Sequence, residues 1–124
     1  MLIGELSKQT GLSKDTIRFY EKLRLIQADE RQPGTRTYKE FRSETVELLK
    51  MIMQGKSFGF TLNEMLELIQ TWGSEEMPTV EKLRVIDRKL EEIVLKMQQL
   101  EEIKTSLMAK RSKIAQENRD AVVV

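Results

Sequence analysis

The chain of 124 residues contains no cysteine and no histidine. Their absence excludes disulfides, metal sites built from thiolate or imidazole, cysteine-based redox sensing, and catalysis by Ser-His or Cys-His pairs. No run of about 20 apolar residues occurs, so the sequence predicts no membrane span. The N-terminus lacks the basic and then apolar segment of a secretion signal, and we therefore expect a cytoplasmic protein.

Net charge is also scarce: it is only +1, although 33% of the residues are charged. A bulk excess of positive charge is therefore not available as an argument for nucleic-acid binding. The acidic residues are scattered along helix faces, and no pair of them stands out as an acid and base couple. We expect neither an enzyme nor a bound cofactor.

Two short helices are predicted at the N-terminus. Leu2 and Ile3 lie about one helical turn before Leu6, Gly11 is placed to end the first helix, and Ser13 is placed to cap the second. The bulky positions of the second helix are Ile17, Phe19, Tyr20, Leu23 and Leu25. Two short helices joined by Gly-Leu-Ser form a helix-turn-helix signature. An ordinary pair of packed helices gives the same spacing, so the pattern alone does not establish DNA binding.

A small two-stranded ribbon, the wing, is predicted next. Residues 25–26 are an apolar pair, residues 32–34 (Gln-Pro-Gly) signal a turn, and residues 35–38 are β-prone. Strand side chains alternate, so Arg36 and Tyr38 are expected on one face, where a cation and an aromatic ring suit a phosphate backbone. The alternative is a purely structural hairpin with Tyr38 packed on the helices.

Two further helices are predicted in the middle of the chain. Ser43 is placed to cap the first, which Gly55 and Gly59 are expected to break. Thr61 and Glu64 form a capping box, in which the hydroxyl and the carboxylate bond the first amides of the second helix. The positive end of that helix could receive an anion, although a structural cap without a ligand is commoner.

The last part of the chain carries a heptad pattern. From Thr79, which is placed to cap the helix, apolar residues recur at alternating spacings of three and four. The predicted dimerisation residues are Leu83, Ile86, Leu90, Ile93, Met97, Leu100 and Leu107. About forty helical residues would extend about 60 Å, and a lone helix with such a stripe needs a partner. The simplest partner is a second copy, so we predict a homodimer.

Several ordered motifs resemble the MerR family of transcription regulators. Residues 16–23, Thr-Ile-Arg-Phe-Tyr-Glu-Lys-Leu, are similar to the recognition-helix segment of that family. Further agreement follows in order at Gly34, Arg36, Tyr38, Phe41 and residues 56–64. The heptad helix lies where the family has its antiparallel dimerisation helix.

The resemblance implies a mainly α protein with four segments. They are a winged helix-turn-helix DNA-binding domain (1–72), a linker (73–78), an antiparallel coiled-coil dimerisation helix (79–118) and a tail (119–124). It further implies binding to double-stranded promoter DNA at a pseudo-palindromic operator, which the dimer bends and untwists so that RNA polymerase can use the promoter.

The DNA-binding residues follow from the same resemblance. The expected base contacts are Lys14, Thr16 and Phe19. The expected phosphate contacts are Arg18, Tyr20, Arg36, Tyr38, Lys56 and the helix opening at Thr61 and Leu62.

The chain departs from the family pattern at several positions. Arg24 stands where the family usually has glycine, and a left-handed conformation there would cost about 1 kcal/mol. The cysteines of the family's metal and thiol-stress sensors are absent, and Met65 occupies the position of one of them. The large C-terminal ligand domain of its drug sensors is not expected either.

Two hypotheses for the effector therefore stay open. One is a small apolar or aromatic ligand between the subunits, lined by Met65, Trp72 and Met77. The other, which we favour, is activity set without a ligand, by expression level or a partner protein. Two other classes of protein fit less well. A recombination directionality factor would lack the long dimer helix, and a coiled-coil adaptor would not need the wing.

Overall fold

The computed structural model describes residues 1–72 and 76–122. These residues form two compact units, one before Pro78 and one from Pro78 onward. The elements of the first unit are α1 (Ile3–Thr10), α2 (Lys14–Lys22), β1 (Ala28–Arg31), β2 (Tyr38–Phe41), α3 (Glu44–Ser57) and α4 (Leu62–Trp72). The second unit contains one helix, α5 (Thr79–Val122). Within the described ranges, no helix is long and apolar enough to cross a membrane.

The turn between α1 and α2 forms as its sequence predicts. Gly11 ends α1 in the left-handed conformation, with φ of 77°, and its N–H donates to the carbonyl of Ser7 at 2.9 Å. Ser13 caps α2, since its Oγ accepts the backbone N–H of Thr16 at 3.1 Å. Both bonds join residues three or four positions apart, and they set the tight helix-turn-helix geometry.

The end of α2 carries the left-handed residue that the family pattern implies. Arg24 has φ of 64°, although it is not glycine. Its N–H donates to the carbonyl of Glu21 at 2.9 Å, and the N–H of Leu25 donates to that of Tyr20 at 3.0 Å. These two bonds make a Schellman motif, which requires positive φ at the residue that donates the first of them, Arg24. The same motif ends α3, where Gly59 takes the left-handed position with φ of 90°.

The predicted ribbon is present, but its strands are displaced from the predicted residues. β1 and β2 pair antiparallel, with Arg31 opposite Tyr38 and Ala28 opposite Phe41. Residues 25–26 are instead fully buried in the core, so the chain turns outward before the first strand begins. Arg36 precedes β2, and it therefore does not share a strand face with Tyr38 as predicted.

One core joins the four helices and the wing of the first unit. Its buried residues are Leu6, Ile17, Tyr20, Leu25, Ile26, Phe41, Val46, Leu49, Ile52 and Met65. Gly55 lies inside α3 and does not break it. A Cβ at that position would overlap the Sδ of Met65 on α4, so the packing requires glycine there. The glycine thus allows α3 and α4 to pack closely.

Two of the predicted helix caps do not form. Ser43 occupies the N-cap of α3 with a helical backbone, φ −60° and ψ −32°, and makes no side-chain cap bond. Thr79 is the first residue of α5, and the N–H groups of Glu81 and Lys82 both bond to the carbonyl of Pro78 at 3.0 Å. The capping position of α5 is therefore Pro78.

The seam of α5 is exposed along its length. The seven predicted dimerisation residues are each at least 39% exposed. The helix continues through Val122, beyond residue 118, where the dimerisation helix was expected to end. A helix of 44 residues, about 66 Å at 1.5 Å per residue, therefore carries an uncovered apolar stripe.

Candidate DNA interface

The exposed face of α2 is built from the first two turns of that helix. Ile17 and Tyr20 lie one turn apart and point into the core, so the intervening residues face outward. Lys14 and Arg18 are exposed, and Phe19 is 49% exposed. This face combines two cations with an uncovered aromatic ring, which is suitable for the floor of a DNA groove.

Two of the predicted DNA contacts on α2, Thr16 and Arg18, already have local partners. The Oγ1 of Thr16 lies 2.8 Å from the Oγ of Ser13 within the cap of α2. The guanidinium of Arg18 is 3.1 Å from the Oδ1 of Asp15, and both side chains are largely exposed. An exposed ion pair of this kind contributes at most about 1 kcal/mol, so a phosphate can replace the carboxylate.

Tyr20 is not an exposed phosphate contact. Its side chain is only 3% exposed, and its ring belongs to the core. The Nζ of Lys56, in the last turn of α3, lies 3.5 Å from its hydroxyl. Tyr20 therefore positions the ammonium of Lys56 at the junction of α2 and α3, and the exposed group there is the lysine.

The wing places Tyr38 beside Arg18. These two predicted residues line one surface depression of about 350 Å³, together with Leu2, Ile3, Glu21, Lys39 and Phe41. Tyr38 is 40% exposed, so its ring is neither packed in the core nor fully extended into solvent. Arg36 is exposed in the connection between the strands.

Lys39 is a component of this surface that sequence analysis missed. Its Nζ lies 2.7 Å from the Oε1 of Glu21, and the pair ties β2 to α2. This hydrogen bond, and then the charge of Glu21, raises the pKa of Lys39 above its ordinary value. Strand alternation gave no clue to this, since it places adjacent residues such as Tyr38 and Lys39 on opposite faces.

The wing carries two further ion pairs. Arg31 lies 3.2 Å from Glu40, and Arg42 lies 3.4 Å from Asp29. The first pair joins β1 to β2, the second joins β1 to the residue that follows β2, and both pairs are exposed. They hold the ribbon in register and leave little unbalanced charge on its strands.

The capping box at the start of α4 forms as predicted. The N–H of Thr61 donates to the Oε1 of Glu64 at 3.0 Å, and the N–H of Glu64 donates to the Oγ1 of Thr61 at 3.1 Å. The first backbone bond of the helix runs from Met65 to Thr61. The amides of Leu62 and Asn63 precede that bond, so they are the groups at this helix opening that face outward.

Within the single chain, one of the three proposed effector residues lies in the core and two lie near helix ends, and a ligand site between subunits stays a prediction. Met65 is 4% exposed and packs against Gly55 in the core. Trp72 is the half-buried last residue of α4, and Met77 precedes α5. Within residues 1–72 and 76–122, no group of three or more Asp or Glu side chains is arranged to hold a metal ion.

A helix-turn-helix with a wing and an exposed second helix defines a DNA-binding protein of the winged type. Comparison with family models gives the particular family. A model described as "MerR HTH family regulatory protein" matches residues 1–72, and one described as "MerR, DNA binding" matches residues 46–110. The chain belongs to the MerR family of DNA-binding transcription regulators.

Individual relatives and a solved structure agree with this assignment. The mercuric resistance operon regulatory protein of Bacillus cereus is 34% identical, over 95% of this chain and 87% of its own. The transcriptional regulator YfmP of Bacillus subtilis is 38% identical, over 75% of this chain and 69% of its own. The lead(II) complex of PbrR691 from Ralstonia metallidurans is similar with a TM-score of 0.75 and 26% identity, covering 90% of this chain and 85% of the other.

Proposed function

We propose that this chain acts as a homodimer that binds a pseudo-palindromic promoter operator and bends and untwists it to control transcription. The observation that carries the proposal is the exposed seam of α5, whose residues recur every three and four positions. Apolar area left in water is unfavourable by about 25 cal/mol per Å², so the stripe favours association. A second copy offers the same stripe and gives a two-fold dimer.

The two heads of such a dimer would read two half-sites related by the same two-fold axis. We assign Lys14, Thr16 and Phe19 on α2 to the base edges. Phosphates would be held by Arg18, Arg36, Tyr38, Lys56 and the amides at the start of α4. Tyr20 acts through Lys56. Bending the operator costs a few kcal/mol, and contacts from both subunits offset that cost.

The experiment introduces charge into the seam with Leu90→Asp/Ile93→Asp. Two carboxylates that the dimer would have to bury cost several kcal/mol, so sedimentation should show a monomer. The same variant should lose operator bending, measured by energy transfer between labelled DNA ends. Gln98→Asp/Gln99→Asp is the matched control, since it adds the same charge outside the seam.

The control should remain a dimer and should bend the operator as the unmodified chain does. A Leu90→Asp/Ile93→Asp variant that sediments as a dimer contradicts the proposal. So does an unmodified dimer that binds its operator without bending it.

We propose that the effector of this chain differs from the metals that appear in the names of two similar proteins. Mercury and lead appear in the names of two similar proteins. This chain has neither cysteine nor histidine, so it cannot offer thiolate or imidazole ligands to such soft ions. We therefore propose that its trigger is neither a cysteine-ligated metal nor thiol stress, and that a small apolar ligand or a partner protein remains.

Trp72 fluorescence and operator-driven transcription test this proposal together. Mercury, lead, zinc and copper should change neither signal at stoichiometric levels, and a change in both would contradict it. A saturable change with metabolite extract would instead favour the small-ligand hypothesis over control without a ligand.

A further inference from the structure

The seam of α5 contains more positions than the seven predicted dimerisation residues. In heptad notation, the a positions are Leu83, Leu90, Met97, Lys104 and Arg111. The d positions are Ile86, Ile93, Leu100, Leu107 and Ile114. Eight of these ten positions are apolar, and Ile114 is 53% exposed like the others. The two basic positions lie in the C-terminal half, so the seam has a polarity along the helix.

We propose a specific register for the second copy on this seam, which rests on the homodimer proposed above. In an antiparallel coiled coil each a position faces a d position of the partner. The structure assigns Leu90 to face the partner's Leu107, which places Leu83 opposite the partner's Ile114. The remaining layers pair Met97 with the partner's Leu100, Lys104 with the partner's Ile93, and Arg111 with the partner's Ile86.

This register is the one in which all ten seam positions face one another. A shift of one heptad in one direction places Arg111 opposite the partner's Thr79 and leaves Ile114 beyond the start of the partner helix. A shift in the other direction places Leu83 opposite the partner's Ala121 and Ile86 opposite the partner's Asn118, which are a small and a polar residue. Leu83, Ile86 and Ile114 are each at least half exposed on the single chain, so each shift covers less apolar area than the proposed register does.

A depression on α5 fits the side chains that this register supplies. It has a volume of about 380 Å³ and is lined by Leu100, Ile103, Lys104, Leu107, Met108 and Arg111. These residues outline two adjoining holes of four residues each, the arrangement that receives a knob from a facing helix. In the proposed register the two knobs are the partner's Ile93 and the partner's Leu90.

The two basic seam positions also find suitable surroundings. Lys104 has a carboxylate within its own helix, Glu101, at 3.8 Å, so its ammonium can point outward while its methylenes cover the partner's Ile93. Arg111 would lie beside the partner's Asp87, which follows the residue it faces. A basic residue at an a position lowers stability but fixes register, which fits a seam with this polarity.

Engineered cysteines test the register cleanly, because the chain has none of its own. Leu90→Cys/Leu107→Cys should form a covalent dimer on oxidation, seen on a non-reducing gel. The two cysteines of one chain are 17 residues apart, about 25 Å along the helix, so an internal disulfide is excluded. Leu83→Cys/Leu107→Cys reports the register shifted by one heptad and should not form the covalent dimer.

Two further variants complete the experiment. Ile86→Cys/Arg111→Cys reports the same proposed register while removing only one apolar residue, in case the first variant pairs poorly. Leu90→Cys alone would cross-link only in a parallel dimer. Covalent dimers from both proposed pairs, with none from the other two variants, are the expected result.

The remaining outcomes separate the register from the dimer itself. A covalent dimer from Leu83→Cys/Leu107→Cys or from Leu90→Cys alone overturns the register and leaves the homodimer standing. A chain that sediments as a dimer but forms no covalent dimer at either proposed pair also overturns the register. An unmodified chain that sediments as a monomer overturns the homodimer, and the register falls with it.

Discussion

The backbone N–H of Leu25 donates to the carbonyl of Tyr20 at 3.0 Å, and this hydrogen bond ends α2 with Arg24 in the left-handed backbone conformation. The bond brings two core residues together at the exit of the helix, because both Leu25 and Tyr20 are buried. The intervening Arg24 must adopt φ of 64°, a conformation that costs a residue with a Cβ roughly 1 kcal/mol or more.

Replacing that residue should therefore stabilise the head. We expect Arg24→Gly to raise the free energy of unfolding by up to about 1 kcal/mol, measured by chemical denaturation. Arg24→Ala is the control, since it removes the same charge but keeps the Cβ. Equal stability of the two variants would mean that the left-handed conformation carries no cost here.

The contact between α3 and α4 predicts that the effect of Gly55→Ala on stability changes sign when the Met65 side chain is removed. Gly55→Ala places a methyl group against the Sδ of Met65, and overpacking of this kind costs about 1–3 kcal/mol. When Met65→Ala removes the thioether first, the same substitution should stabilise by up to about 1 kcal/mol, because alanine favours the helix. Thermal unfolding of the four proteins in this cycle measures the coupling, and additive effects would contradict the contact.

The depression shared by Arg18 and Tyr38 predicts a loss of operator binding without a loss of fold. Arg18→Ala should weaken binding and reduce the salt dependence by about one phosphate contact. Tyr38→Ala should also weaken binding, with little change in thermal stability because its ring is partly exposed. Arg119→Ala, an exposed arginine on α5, is the control and should bind normally.

A different result for Tyr38 would change its role. If Tyr38→Ala unfolds the head and has no specific effect on DNA binding, the wing is a structural hairpin. The test uses gel-shift titrations at several salt concentrations together with thermal melts of each variant.

The pair of Lys39 and Glu21 predicts a pH dependence. Glu21 raises the pKa of Lys39, so the folded state holds this proton more tightly than the unfolded state does. The stabilisation that this pair gives to the folded state is fully present at neutral pH. It is lost as the pH rises, in the alkaline range, through the pKa that Lys39 has in the folded state. Glu21→Gln should lower the pKa of Lys39, measured by NMR titration of its Cε.

Stability differences give the second measure of that pair. The gap between the unmodified chain and Glu21→Gln should be constant near neutral pH and should shrink in alkali. Glu40→Gln is the control, because it removes the partner of Arg31 and leaves Lys39 with Glu21. Identical titration of Lys39 with and without the Glu21 carboxylate would contradict the assignment.

The features predicted correctly from the sequence depend on neighbours along the chain. Gly11, Ser13 and the pair of Thr61 and Glu64 each make their bonds within four residues, so their roles are visible in a short window. The helical conformation of α5 is equally local, because the heptad period lies along one helix. The dimer that the same pattern indicates stays a prediction. The resemblance to the MerR family also rests on short motifs in a fixed order.

The features missed depend on residues far apart in the chain. The burial of Tyr20 depends on α3, and the need for glycine at position 55 inside α3 depends on Met65 of α4. The wing strands begin after residues 25–26 because that apolar pair is buried in the core. Ser43 has a suitable side chain for a cap, but its helical backbone makes no such bond. Such outcomes follow from packing, which a local pattern does not contain.

The ion pairs of the wing bear on how quickly the protein can search a genome. Arg31, Lys39 and Arg42 each have a carboxylate within 3.4 Å, whereas Arg36 has none within ion-pair distance among residues 1–72 and 76–122. Affinity for random DNA comes from cations that displace counterions, and a lysine or arginine must first leave its carboxylate to do so. We expect short residence on random sequence and frequent transfer between sites, so that time bound is concentrated at the operator.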